Sequence, residues 1–211
     1  PPIVLLDAEF TVGLPPHTTA ATGMDALSHN IEALCSPFYH PLAEGIAVEG
    51  IRLVKEYLPT AVSDGSNIEA RTQMIVASMM GATAFQKGLG GMHALAHPLG
   101  ALYDAHHGLL NAILMPYILK ANENAITERI ERVARYIGLE DSSFNGFLNW
   151  VLEMRSSLNI PHSLAEIDID ESKQTLVAVM ATEDPSAGGN PTKFTTEQYQ
   201  QVFINAVKGI L

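Results

Sequence analysis

Pro41-Leu42-Ala43-Glu44-Gly45-Ile46-Ala47-Val48-Glu49-Gly50-Ile51-Arg52-Leu53-Val54-Lys55-Glu56-Tyr57-Leu58-Pro59 is the stretch that sets the fold class. Leu42, Ile46, Gly50, Ile51, Val54 and Leu58 recur at helical intervals and share one face, and Pro59 marks the expected stop. The same reading extends outward on both sides. Ile68 to about Phe85 is rich in Ala and Met and apolar nearly all round, the pattern of a central buried helix, and His107 to Leu119 is similar. Ile126, Ile130, Val133 and Ile137 form a separate amphipathic pattern closed by Gly138. Phe144 to Leu158 and Glu171 to Met180 are further candidates. Thr182 to Thr195, with Pro185, Gly188, Gly189 and Pro191, reads as a loop. Thr196 is the expected cap of a last helix whose core face is Tyr199, Val202, Phe203, Ala206 and Ile210. At the other end, Ile3-Val4-Leu5-Leu6 predicts one buried strand, whose partners would lie outside this sequence or in another copy of the chain. The expected architecture is all-α, a multi-helix bundle of about eight or nine helices preceded by one orphan strand.

Composition narrows the function classes. The chain has 211 residues, 47% of them hydrophobic and 17% charged, which is a folded composition and not a disordered one. The formal net charge is −11 and Lys and Arg form no run, which argues against a nucleic-acid partner. No apolar run reaches about 18 residues, so no membrane partner is expected. Pro1-Pro2-Ile3 carries no basic segment and does not read as a signal peptide. Cys35 is the single cysteine, so no intrachain disulfide can form; it reads as a small buried hydrophobe, and the expected location is cytoplasmic.

The histidines are unevenly placed. His93, His97, His106 and His107 fall in one apolar, glycine-rich window, Gly91 to Gly108, which predicts that they point inward. Asp25 and His29 stand four residues apart in Thr22-Gly23-Met24-Asp25-Ala26-Leu27-Ser28-His29, one turn apart on one helix face. Two ligands at that spacing can grip one ion. The alternatives are an ordinary helix ion pair, a capping carboxylate at Asp25, satisfied core histidines at His93 and His97, and a surface loop at His106-His107. Spacing alone nominates Asp25, His29, His93, His97 and one of the last pair, one more than a four-ligand site needs. A carboxylate with several imidazoles and no thiolate suits Fe(II), Zn(II), Ni or Mn.

These residues also carry a family resemblance. Thr22-Gly23-Met24-Asp25-Ala26-Leu27-Ser28-His29 with Ile31-Glu32, Gly88-Leu89-Gly90 leading into His93-Ala94-Leu95-Ala96-His97-Pro98-Leu99-Gly100, His107-Gly108 with Asn111-Ala112 and Met115-Pro116, and Asn190-Pro191 resemble the iron-containing (group III) alcohol dehydrogenases. The resemblance covers essentially the whole chain. It implies that residues 1–14 are the end of an α/β dinucleotide-binding domain and its crossover, and that residues 15–211 are a helical metal-binding domain. It implies Asp25, His29, His93 and His107 as ligands of one Fe(2+) or Zn(2+) ion, His97 as a catalytic residue facing substrate and nicotinamide on the proton path, and Phe85 with His97 beside the cofactor. His106 has no transferred role beyond a loop or supporting residue.

The implied activity is reversible oxidation of an alcohol to an aldehyde or ketone with NAD or NADP. The implied partners are a small alcohol or aldehyde, the N-terminal nucleotide-binding domain, and other copies in a homo-oligomer. Phe85-Gln86-Lys87-Gly88-Leu89 is one residue shorter than the commoner family pattern Phe-Ser-Asn-Ala-Gly-Leu, and matches a subset with Phe-Gln-Lys-Gly-Leu. Nothing here fits G-x-G-x-x-G, because Gly88-Leu89-Gly90-Gly91 lacks the preceding strand and third glycine. The chain by itself is therefore expected to be inactive. Two other readings stay open: a glycerol-dehydrogenase-like or dehydroquinate-synthase-like metalloenzyme, and a non-catalytic metal-binding remnant.

Overall fold

Pro15-Pro16 starts the first helix, since proline has no N–H to leave unsatisfied in a first turn. In the computed structural model, which describes residues 3–211, helix α1 runs Pro16–Cys35. It is followed by α2 (Pro41–Ser63), α3 (Ile68–Ala84), α4 (Gly91–Tyr103), α5 (His107–Tyr136), α6 (Phe144–Ser157), α7 (Gln174–Glu183) and α8 (Thr196–Lys208). Short 3₁₀ turns fill several of the connections. The all-α expectation holds: eight α-helices and no strand occur among the described residues.

Helices α1, α2 and α3 pack on one another, and α5 then joins α1 to α4 and α6, with α7 and α8 paired beyond α4. Asn30 in α1 ties the first group together, donating from Nδ2 to the carbonyls of Ala26 (2.8 Å) and Ala77 (3.1 Å). Gly81 lets α3 press against the same turn: a Cβ there would lie 2.9 Å from the His29 Cβ. The N-terminal half of α5 is the buried spine, with Leu110 through Leu119 all enclosed.

Several expectations need correction. Ile3–Leu6 is not a strand; its side chains are exposed, and with no neighbouring strand there is nothing to take its backbone hydrogen bonds. Asp7 instead opens a 3₁₀ turn at Ala8–Thr11 by accepting from the Glu9 amide. Pro1 and Pro2 lie outside the described residues.

Pro59 does not stop α2, because the packed face continues to buried Ala61. Helix α3 is buried on one face only, with Ile68 and Met79 exposed. The two patterns His107–Leu119 and Ile126–Ile137 are one helix of about 45 Å. Polar Lys120–Asn124 contains no breaker, and Asn122 turns inward to exchange hydrogen bonds with Asn190 (3.0 Å each way). The first part of the expected loop at Thr182–Thr195 is the end of α7 and a 3₁₀ turn at Pro185–Gly189. Thr195, not Thr196, caps α8 through a reciprocal box with Gln198. Val207 takes the core place expected of Ile210, which lies exposed past the helix end. No described helix is long and apolar enough to cross a membrane.

Candidate metal centre

Three helices bring the nominated residues together. Asp25 and His29 stand one turn apart in the middle of α1, so Asp25 is not a cap. His93 and His97 are one turn apart in α4, and His107 is the first residue of α5. Gly108 allows the close seating of α5 on α1: a Cβ there would meet the Ala21 carbonyl oxygen at 2.6 Å and the Asp25 Cβ at 3.2 Å.

Asp25 is the hub. Its Oδ2 lies 4.0 Å from His29 Nδ1, and its Oδ1 lies 4.0 Å from His93 Nε2 and 3.6 Å from His107 Nε2. One donor atom each from Asp25, His29 and His93 falls within 4.8 Å of the others. The His29 and His93 rings stack at 4.7 Å, and the His107 ring centroid is 5.3 Å from that of His93. The Asn111 side-chain amide sits in the middle, with Nδ2 at 2.7 Å from Asp25 Oδ1, 3.1 Å from His107 Nε2 and 3.2 Å from His93 Nε2. Its Oδ1 is buried with no hydrogen-bond partner.

His97 is differently engaged. Its Nδ1 lies 2.8 Å from Asp184 Oδ2, while its ring stacks on His107 at 5.5 Å. The Phe85 ring, half-buried at the end of α3, lies 5.2 Å from that of His29. His106 caps α5, its Nδ1 accepting from the Leu109 amide, so of the His106-His107 pair it is His107 that faces Asp25. The expectation that all four histidines of the window point inward holds only for His93; His97, in the middle of α4, and His106 and His107, at the start of α5, are exposed.

Electrostatics divides the imidazoles. Burial pushes the His29 pKa down to about 4, outweighing the raising effect of Asp25. Burial likewise holds His107 below the ordinary histidine value. Burial would also lower His93, but the hydrogen bond and charge of Glu32, joined by Asp25 and Asp184, reverse it and raise the pKa. A neutral imidazole is the form that binds a metal. Burial raises the Cys35 thiol to about 12, which leaves it no thiolate to offer.

Three residues of the site escaped a role in the sequence: Glu32, Asn111 and Asp184. The first two lie inside quoted motifs, and Glu32 follows Asp25 and His29 on one helical stripe, a signal that spacing carries. Asp184 meets His97 across 87 residues, and no local pattern predicts that.

A family model described as "Fe-containing alcohol dehydrogenase family, C-terminal" matches residues 19–207. A 4-hydroxybutyrate dehydrogenase from Cupriavidus necator is 37% identical over 96% of this chain and 55% of its own length. A crystal structure of 1,3-propanediol oxidoreductase superposes with a TM-score of 0.92 at 34% identity, covering 95% of this chain and 54% of that one. The sulfoacetaldehyde reductase of Bifidobacterium kashiwanohense, solved with NAD+, gives 0.86 at 27% identity, covering 95% and 53%. The chain thus spans about half the length of the relatives it matches.

Proposed function

The chain belongs to the Fe-containing alcohol dehydrogenase family, and from that premise we propose that it is the metal-binding part of an enzyme that interconverts an alcohol and an aldehyde or ketone with NAD or NADP. The observation that carries the reading is the convergence of Asp25, His29, His93 and His107 from three helices. The donor set fits a divalent ion: one carboxylate supplies charge, and His29 and His107, whose burial disfavours protonation, supply neutral nitrogens beside His93. Asp25, His29, His93 and His107 would hold Fe(2+) or Zn(2+). When bound, such an ion acts as a Lewis acid toward an alcohol oxygen.

The remaining roles fall to the chain's own side chains. His97 directs Nδ1 to Asp184 and keeps Nε2 free to take the hydroxyl proton and pass it to solvent. Phe85 beside His29 gives an apolar wall for the nicotinamide. A bound nicotinamide would supply the hydride chemistry, and the protein's part is to orient it. Residues 1–14 are the end of the nucleotide-binding part and residues 15–211 the metal-binding part. The work is cytoplasmic, consistent with the single buried cysteine.

The test is metal uptake by the purified chain. Reconstitution with Fe(II) or Zn(II) under reducing conditions should give one ion per chain and raise the melting temperature, since binding to the folded state alone stabilises it. A melt unmoved by either ion would overturn the reading.

A further inference from the structure

Helix α1 carries a third side chain on the stripe of Asp25 and His29. Glu32 follows His29 by three residues, so it lies one turn further along the same face. Its side chain is 4% exposed, and every hydrogen bond it makes among the described residues is to the start of α4. Oε2 accepts from the Gly90 amide (2.8 Å), and Oε1 accepts from the Met92 amide (2.6 Å). His93 Nδ1 lies 2.7 Å from Oε2.

An ionised carboxylate has no proton to give, so at His93 it can only accept, and Nδ1 must be a nitrogen that carries hydrogen. In the neutral ring, the form that binds a metal, the other nitrogen, Nε2, is then left with its lone pair. It is Nε2 that faces Asp25 Oδ1 at 4.0 Å and takes the Asn111 amide at 3.2 Å. A second anchor holds the same helix start without touching any imidazole: Asn190 Oδ1 accepts from the Gly91 amide at 3.0 Å.

We propose that Glu32 is the positioning residue of this site, fixing the His93 ring in the Nδ1–H form so that Nε2 points at Asp25 as a ligand. Helix α1 then supplies two donors of its own and the carboxylate that aims the third from α4. The inference rests on the metal-site reading above. Carboxylates behind ligating histidines typically change metal affinity by about 10–100-fold when removed.

The test compares Glu32→Gln with Asn190→Ala in the 211-residue chain, using Co(II) as the probe and its visible absorption as the readout. Glu32→Gln cannot accept from two amides and an imidazole at once, and its Co(II) dissociation constant should rise about 10–100-fold. Asn190→Ala loosens the same helix start but leaves His93 aimed, and should change the constant less than about 3-fold. Equal weakening in both variants would mean that Glu32 acts only by anchoring α4, and would overturn the proposal.

A second measurement needs no variant. In the metal-free wild-type chain at about pH 9, where imidazoles are neutral, histidine ¹⁵N chemical shifts should show His93 protonated at Nδ1 and bare at Nε2. The opposite tautomer would overturn the proposal whether or not Glu32→Gln folds. A wild-type chain that shows this tautomer and binds no Co(II) would instead contradict the metal-site reading and leave the role of Glu32 standing.

Discussion

His93 and His107 face the same carboxylate oxygen of Asp25, at 4.0 and 3.6 Å, from helices α4 and α5, yet they are held differently. The His93 side chain is 1% exposed and Glu32 grips its second nitrogen from behind. The His107 side chain is 43% exposed, meets Asn111, and stacks on His97, itself 44% exposed. The buried half of the cluster is built by the chain's own hydrogen bonds. The open half presents imidazoles to solvent, the side to which the proposed function assigns substrate and nicotinamide. The contrast teaches that one cluster can be graded by depth: inside, an imidazole locked by the chain's own hydrogen bonds; outside, two stacked imidazoles open to solvent.

The hardest test of that division is catalysis by the 211-residue chain alone. If the open half is only one wall of the cleft, nothing fixes the nicotinamide against the alcohol. Orientation of that kind is worth about 7–11 kcal/mol of barrier. Nicotinamide absorbance, followed with short alcohols or diols, NAD or NADP and Fe(II), should show no turnover. A rate of about 1 s⁻¹ or more, ordinary for a dehydrogenase, would show that these helices hold a whole active site.

A smaller effect sharpens the contrast directly. His93→Ala leaves the buried Glu32 carboxylate facing an empty space, and breaking a buried pair of this kind costs about 3–5 kcal/mol. His107→Ala removes an exposed ring and should cost under about 1 kcal/mol. Urea unfolding of the metal-free variants measures both, and equal losses would erase the distinction between the halves.

The third test separates grip from chemistry within the open half. In an enzyme that carries this chain joined to its nucleotide-binding part, His107→Ala should lose metal together with activity. His97→Ala should keep its metal and lose about 10–1000-fold in turnover, the range of acid–base effects. Equal metal loss in both would make His97 a ligand.

The sequence displayed the two halves unequally. The Asp25–His29 spacing is readable because a helix places i and i+4 on one face, and the cluster in α4 is readable from its apolar setting. Choosing between His106 and His107 needs the start of α5, and the structure shows why spacing could not supply it: His106 spends its ring on the cap. Asp184 is silent because its partner is 87 residues away, and the stripe that carries Glu32 beside Asp25 and His29 does not show its partner 61 residues on. The helices show the same limit. Pro59 and the polar stretch before Ile126 look like boundaries locally, but buried Ala61 and the Asn122–Asn190 exchange carry the helices through. Ile3–Leu6 looks like a strand by composition, and a strand is defined by neighbours that composition does not show.

The central claim is that Asp25, His29, His93 and His107 grip one ion while His97 stands aside. Anomalous diffraction at the zinc edge from crystals of the Zn(II)-loaded chain tests it most directly. One peak should appear at about 2.0–2.2 Å from a carboxylate oxygen of Asp25 and one ring nitrogen each of His29, His93 and His107. His97 should remain on Asp184, outside bonding distance. A peak bonded to His97 in place of His107, or no peak among these side chains, would contradict the account.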